Sequence, residues 1–198
     1  MSDNDIREPI QKRSIEKKEK IIQYGFNLIC EKGYYNTNTA EIAKAAGVST
    51  GIVYNYFKDK HDILLEGIKL YANDIFCPMI NLSNFDKNTL EHYLKEMIDS
   101  FIENHKLSES AHEEIMAMIH SDKDVAQLYH LHEIDITEIF TNLLLDNGFD
   151  SSNLKEKAHV ALGLIDNLCH EIIYHKHDNM DYENMKKIVI NTVINLLS

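Results

Sequence analysis

The chain has no tryptophan, and only two prolines, seven glycines and three cysteines among its 198 residues. Each scarcity excludes something. So few turn-forming residues cannot punctuate a protein of many short strands, so the composition favours a mostly helical fold. The cysteines (Cys30, Cys77 and Cys169) are odd in number and far apart. They can build neither a disulfide framework nor a Cys-x-x-Cys metal site, and they suit a reducing cytoplasm. No apolar run approaches the roughly 18 residues that cross a bilayer, and Met1-Ser2-Asp3-Asn4-Asp5 does not read as a secretory start. No membrane partner is expected. What remains is 44% hydrophobic and 26% charged, the balance of a globular protein with room for one sizeable core and a small accessory domain.

The net charge of −12 by itself argues against a nucleic-acid partner. Its distribution reverses that. Residues 7–60 carry ten Lys and Arg against six acids, whereas residues 70–198 carry nine against 22. A basic segment on an acidic chain points to one end that faces nucleic acid.

Ile22, Phe26 and Ile29 recur at helical spacing and predict a helix over 14–32, closed by Gly33 as a left-handed cap. Asn38 followed by Glu41 has the form of a capping box and opens a short helix over 39–46, which Gly47 stops. Ser49 or Thr50 caps a third helix through about Phe57. Two short helices joined by a tight glycine-containing turn make a helix-turn-helix. A longer helix starts after Lys60 and runs towards Pro78. Five more are expected: 88–104, 108–120, from Asp122 to Asn147-Gly148, from Ser151 or Ser152 to about His175, and from Asp181 onward. The expected fold is all-α with about nine helices. The last two are apolar on more than one side, so Leu162, Ile165, Ile190, Ile194 and Leu197 are candidates for an interface with an identical chain.

Between the two short helices, Ile42, Ala43, Ala46, Val48, Val53 and Phe57 would form a small core, with the alanines letting the helices cross closely. Ile42-Ala43, Ala46-Gly47-Val48-Ser49, Gly51, Tyr54, Tyr56-Phe57 and Lys60, with Leu64 beyond, form a pattern that resembles the TetR family of bacterial transcriptional regulators. Upstream, Ile22, Phe26 and Gly33-Tyr34 are similar to that family's first helix and the turn after it.

The resemblance implies an N-terminal three-helix DNA-binding domain over 1–60 and a C-terminal helical effector-binding and dimerisation domain over 61–198. It implies a homodimeric repressor on an inverted-repeat, double-stranded operator, released by a small-molecule effector, with no cofactor and no enzymatic activity. Thr50, Gly51, Ile52, Asn55 and Tyr56 would be free to meet a major groove, Asn pairing with adenine and Thr or Ile meeting a thymine methyl. Thr39, Tyr54, Tyr56 and Lys60 are placed towards phosphates by similarity. Ala40 stands where many members carry a longer polar residue. No arginine lies on the second helix, so A/T-rich half-sites are expected. For the effector, apolar or aromatic in character, the family's cavity falls on the middle helices. The candidates there are Tyr71, Met79, Tyr93, Met97, Phe101, Met116 and Tyr129, with Asp166 and His170 as polar contacts.

Two other patterns compete. Gly47-Val48-Ser49-Thr50-Gly51 spells a hydrolase nucleophile elbow, but that elbow needs a strand before it, and 40–46 reads as helix. Ten of eleven histidines follow residue 90, which supports an alternative reading as a helical metal-binding or metal-dependent protein. His170 and His177 would share a face, whereas His175 lies about 140° round from His170 at about 100° per residue.

Overall fold

The computed structural model describes residues 12–80, 85–105, 107–149 and 152–198, with the backbone alone over 74–80. Among the described residues all regular structure is helical. The helices are α1 (Lys12–Lys32), α2 (Thr39–Ala46), α3 (Thr50–Tyr54), α4 (Lys60–Ile80), α5 (Leu90–Asn104), α6 (Glu109–Ser121), α7 (Lys123–Asp146), α8 (Leu154–Tyr174) and α9 (Tyr182–Leu197).

The helix ends follow local chemistry. Gly33, Gly47 and Gly148 take φ of 85°, 69° and 81°, the left-handed region that a side chain rarely enters. Asn38 and Glu41 form the expected capping box at the start of α2, and Ser108 and Asp181 cap α6 and α9. Three ends differ from expectation. α3 stops at Tyr54, because the N–H of Asn55 turns tightly to the carbonyl of Ile52. α4 passes Pro78 to Ile80. Ser152 does not cap α8, which starts behind Asn153 at a left-handed φ of 61°; Ser151 lies outside the described residues.

The described chain packs as two units, one holding residues up to 72 with 107–128, the other 73–105 with 129–198. In the first, Ile21, Ile22, Ile42, Ala43, Ala46, Val53, Phe57 and Ile63 close one core cluster, with Val48 and Ile52 packed on its edge. Phe26, Ile29, Leu64, Met118 and Val125 make a second. This unit continues past residue 60 because α1 and α4 meet at two glycines. A Cβ on Gly67 would lie 2.5 Å from the Phe26 ring, and one on Gly25 would lie 2.6 Å from Ile63. In the second unit Ala158, Ala161, Ile165 and Leu168 form the buried side of α8, which packs with α5 and α9. Burial pushes the thiols of Cys30 and Cys169 up to about 12, so both stay protonated.

Candidate nucleic-acid interface

α2 and α3 are held as one piece. The N–H of Val48 bonds back to the Ala43 carbonyl across the Gly47 turn, and Val53 and Phe57 bury 0% and 2% exposed against Ile42, Ala43 and Ala46. With that side of α3 committed to the core, Thr50, Gly51, Tyr54 and Asn55 emerge exposed. Their i, i+1, i+4, i+5 spacing makes them one face. Ala40 is exposed on α2 and Thr39 is half-buried at its first position. Ile52, expected to project freely, is half-buried on the core cluster, because a helix this short turns only two flanks outward.

Tyr56 and Lys60 do not stand free. The Tyr56 hydroxyl lies 2.7 Å from Ser14 Oγ, tying the end of the recognition segment to the start of α1. Lys60 Nζ donates to the carbonyls of Tyr34 and Thr37 and lies 4.2 Å from the centroid of the Tyr34 ring. Both were expected towards phosphates; both are held by the protein instead. The exposed cations of this unit include Lys12, Arg13, Lys17 and Lys20 on α1, Lys44 on α2 and Lys58 after α3. Lys32 is paired with Glu41 at 2.9 Å, which holds that carboxyl below its ordinary range.

The comparisons with known proteins converge on this arrangement. The family model described as "Bacterial regulatory proteins, tetR family" matches residues 21–66, the helix-turn-helix with the helices that frame it. The regulator BetI of Escherichia coli is 24% identical over 155 residues, covering 77% of this chain and 80% of its own. The regulator HbdR of an Aromatoleum species is 46% identical over 54 residues, 27% of this chain and 24% of its own. Residues 21–66 carry the helix-turn-helix pattern of the TetR family of transcriptional regulators. A solved TetR-family structure from Mesorhizobium loti, 18% identical, covers 94% of this regulator and 98% of itself with a TM-score of 0.73, and shows the shared fold.

The remaining candidates scatter. Tyr71 and Met116 are half-buried in the first unit. Met79 lies where side chains are outside the described residues. In the second unit Tyr93, Met97 and Phe101 are closed in the core, Tyr93 stacked on Phe85 at 4.1 Å. His170 is half-buried between Phe101, edge-on at 5.5 Å, and Asp166, whose carboxylate lies 3.1 Å from Nδ1. Burial, with the charges of Asp166 and Glu133, pushes the Tyr129 hydroxyl up to about 12.

The dimer candidates need correction. Ile165, Ile190 and Leu197 are 1%, 7% and 2% exposed within a single chain, so they belong to its own core. Leu162 and Ile194 are half-buried. The apolar surface left over lies on other sides: Val160 and Gly163 on α8 and Ile188 on α9 are exposed. Periodicity found two apolar sides and could not tell which of them the chain's own core takes. The expected shared face of His170 and His177 also falls. α8 ends at Tyr174, so His177 lies beyond it and shares no helical face with His170. The nucleophile-elbow spelling sits between two helices, with no strand among the described residues.

No local spacing points to three residues that frame the reader. Glu114 accepts from the Tyr34 N–H, and His61 pairs with Asp122. Their partners are 80 and 61 residues distant. Among the described residues no helix is long and apolar enough to cross a membrane.

Proposed function

We propose that this regulator is a repressor that binds an inverted-repeat operator as a homodimer and is released by a small molecule. The observation that carries the reading is the exposed face Thr50, Gly51, Tyr54 and Asn55 on a helix whose other side is locked into α2. Such a helix can enter a major groove without rearranging. Asn55 has the donor and acceptor for adenine, Thr50 a methyl for thymine, and Gly51 admits close approach of the backbone. Thr39 at the start of α2 and Tyr54 on this face are the candidates for phosphate contacts. The exposed cations of α1 add affinity without sequence choice. The regulator acts by binding and not by catalysis, in the cytoplasm.

The second unit is the effector and dimerisation body. Val160, Gly163 and Ile188 supply the surface for the partner subunit, and the group Phe101, His170 and Asp166 supports a flat, largely apolar effector with one polar handle. The effector must prefer the DNA-incompetent state to release the operator. Footprinting on the DNA flanking the gene, repeated with a panel of apolar, aromatic and cationic compounds, tests the whole reading. The expected result is a protected inverted repeat with half-sites about 10 bp apart, or a multiple of that, and its loss with one class of compound. Protection without dyad symmetry overturns the homodimeric operator, and protection that no compound relieves removes the effector.

A further inference from the structure

Two carboxylates outside the helix-turn-helix hold its two ends. Glu114 on α6 accepts from the backbone N–H of Tyr34 at 2.7 Å. Tyr34 follows the left-handed Gly33 and opens the turn that leads into α2. At the far end of α6, one oxygen of Asp122 lies 3.0 Å from Nε2 of His61, the second residue of α4. Its other oxygen accepts from the N–H groups of Asp124 and Val125 and so caps α7. The two anchors are about two helical turns apart, ~12 Å along α6.

Tyr34 and His61 are where the chain enters and leaves the reading segment. They meet edge to face, ring centroids 6.3 Å apart, and Lys60 joins them through the Tyr34 carbonyl. The Tyr34 peptide is thus held on both sides, its N–H by α6 and its C=O by α4. Neither carboxylate suits a phosphate, since both are anionic.

We propose that Glu114 and Asp122 are positioning residues for operator binding: α6 clamps the reading unit at entry and exit and thereby sets the pitch of α3 in the groove. The proposal rests on α3 being the reader, as argued above. A tilt of α3 misplaces base contacts while leaving the flexible phosphate contacts able to follow, so the clamp governs specificity rather than general affinity.

The test measures binding of the full-length chain to operator and to unrelated duplex at several salt concentrations, counting active protein by stoichiometric titration. Glu114→Met and His61→Ala are each expected to lose about tenfold in operator affinity, with non-operator affinity and salt slope unchanged. Glu114→Gln, which keeps an oxygen acceptor for the Tyr34 N–H, is expected to restore most of the loss. Asp122→Asn combined with His61→Ala should lose little more than His61→Ala alone, since one contact is removed twice. His61→Ala spares the α7 cap, so it reads the clamp even if Asp122→Asn fails to fold. A merely structural role lowers the melting temperature but leaves the operator-to-non-operator ratio unchanged, and that result overturns the proposal. Asn55→Ala runs alongside: if it alone changes the ratio, the clamp fails and the reader stands. If the clamp variants change the ratio and Asn55→Ala does not, α3 is not the reader, and the proposal, which rests on that reading, falls with it.

Discussion

The ammonium of Lys60 donates to the carbonyl of Thr37 at 2.7 Å. It also donates to the Tyr34 carbonyl and sits over the Tyr34 ring. Thr37 is itself 2% exposed, its hydroxyl donating to the Gly33 carbonyl at 3.0 Å. A cation that family likeness directs to a phosphate therefore satisfies the backbone of the turn between α1 and α2. Lys60→Ala is expected to destabilise the protein by about 1.5–3 kcal/mol, the range for hydrogen bonds to a charged group. Operator affinity should fall only through the disordered turn, with an unchanged salt slope. Thermal unfolding combined with a salt series decides it; a slope lower by about one returns Lys60 to the phosphates.

That case shows which features sequence reveals. The caps at Gly33, Asn38 and Gly47, and the core of Ile42, Ala43, Ala46, Val53 and Phe57, are local, so short-range spacing exposes them. Lys60 reaches back 23 and 26 residues and Glu114 reaches 80, and no periodicity encodes such pairings. In α8 and α9 the pattern is local but ambiguous. Ile165 and Val160 are both apolar, and only packing assigns one to the core and leaves the other 51% exposed.

Asn55 is exposed at the end of α3, on the face that carries Thr50 and Tyr54. Asn55→Ala is expected to cost about 1–3 kcal/mol on the operator and to relax the choice of base at one position in each half-site. Binding-site selection with both proteins measures this. The wild type should return A/T-rich half-sites, since α3 (Thr50–Tyr54) carries no arginine for guanine. G/C-rich selections would refute that readout.

Gly67 is buried where α4 crosses α1, and an added Cβ would fall 2.5–2.6 Å from three side-chain carbons of Phe26, its Cβ among them. That atom cannot swing away as a side-chain tip could. Gly67→Ala is expected to destabilise by about 1–3 kcal/mol through overpacking, despite the better helix propensity of alanine. Chemical denaturation should show a lowered midpoint, and Gly67→Ala with Phe26→Leu should recover part of it.

His132 on α7 is half-buried, and burial holds its imidazole below the ordinary 6.5, with Asp135 pulling the other way. The unfolded chain therefore binds this proton more readily than the folded one. Its contribution to stability is present above about 6.5 and is lost as pH falls through the lower folded value. His132→Gln should flatten that part of the pH–stability curve relative to wild type. Parallel curves for the two proteins between pH 7 and pH 5 would show that His132 carries no such linkage.

Gly163 separates the two roles of α8. It is exposed in a single chain, and an added Cβ would meet nothing within 4 Å. In an isolated subunit Gly163→Ala should therefore stabilise by about 0.5–1 kcal/mol, through helix propensity and the less flexible unfolded chain. If the face carrying Val160 and Gly163 packs closely on a partner subunit, the same methyl occupies space the partner needs and weakens the dimer. The two effects have opposite signs and different concentration dependence. Unfolding at several protein concentrations, with sedimentation, should show a weaker dimer whose melting temperature depends more steeply on concentration. Unchanged dimer affinity with a uniformly raised melting temperature would place the partner on another face, with the exposed Leu131, Ile134 and Leu145 of α7 next to be tested.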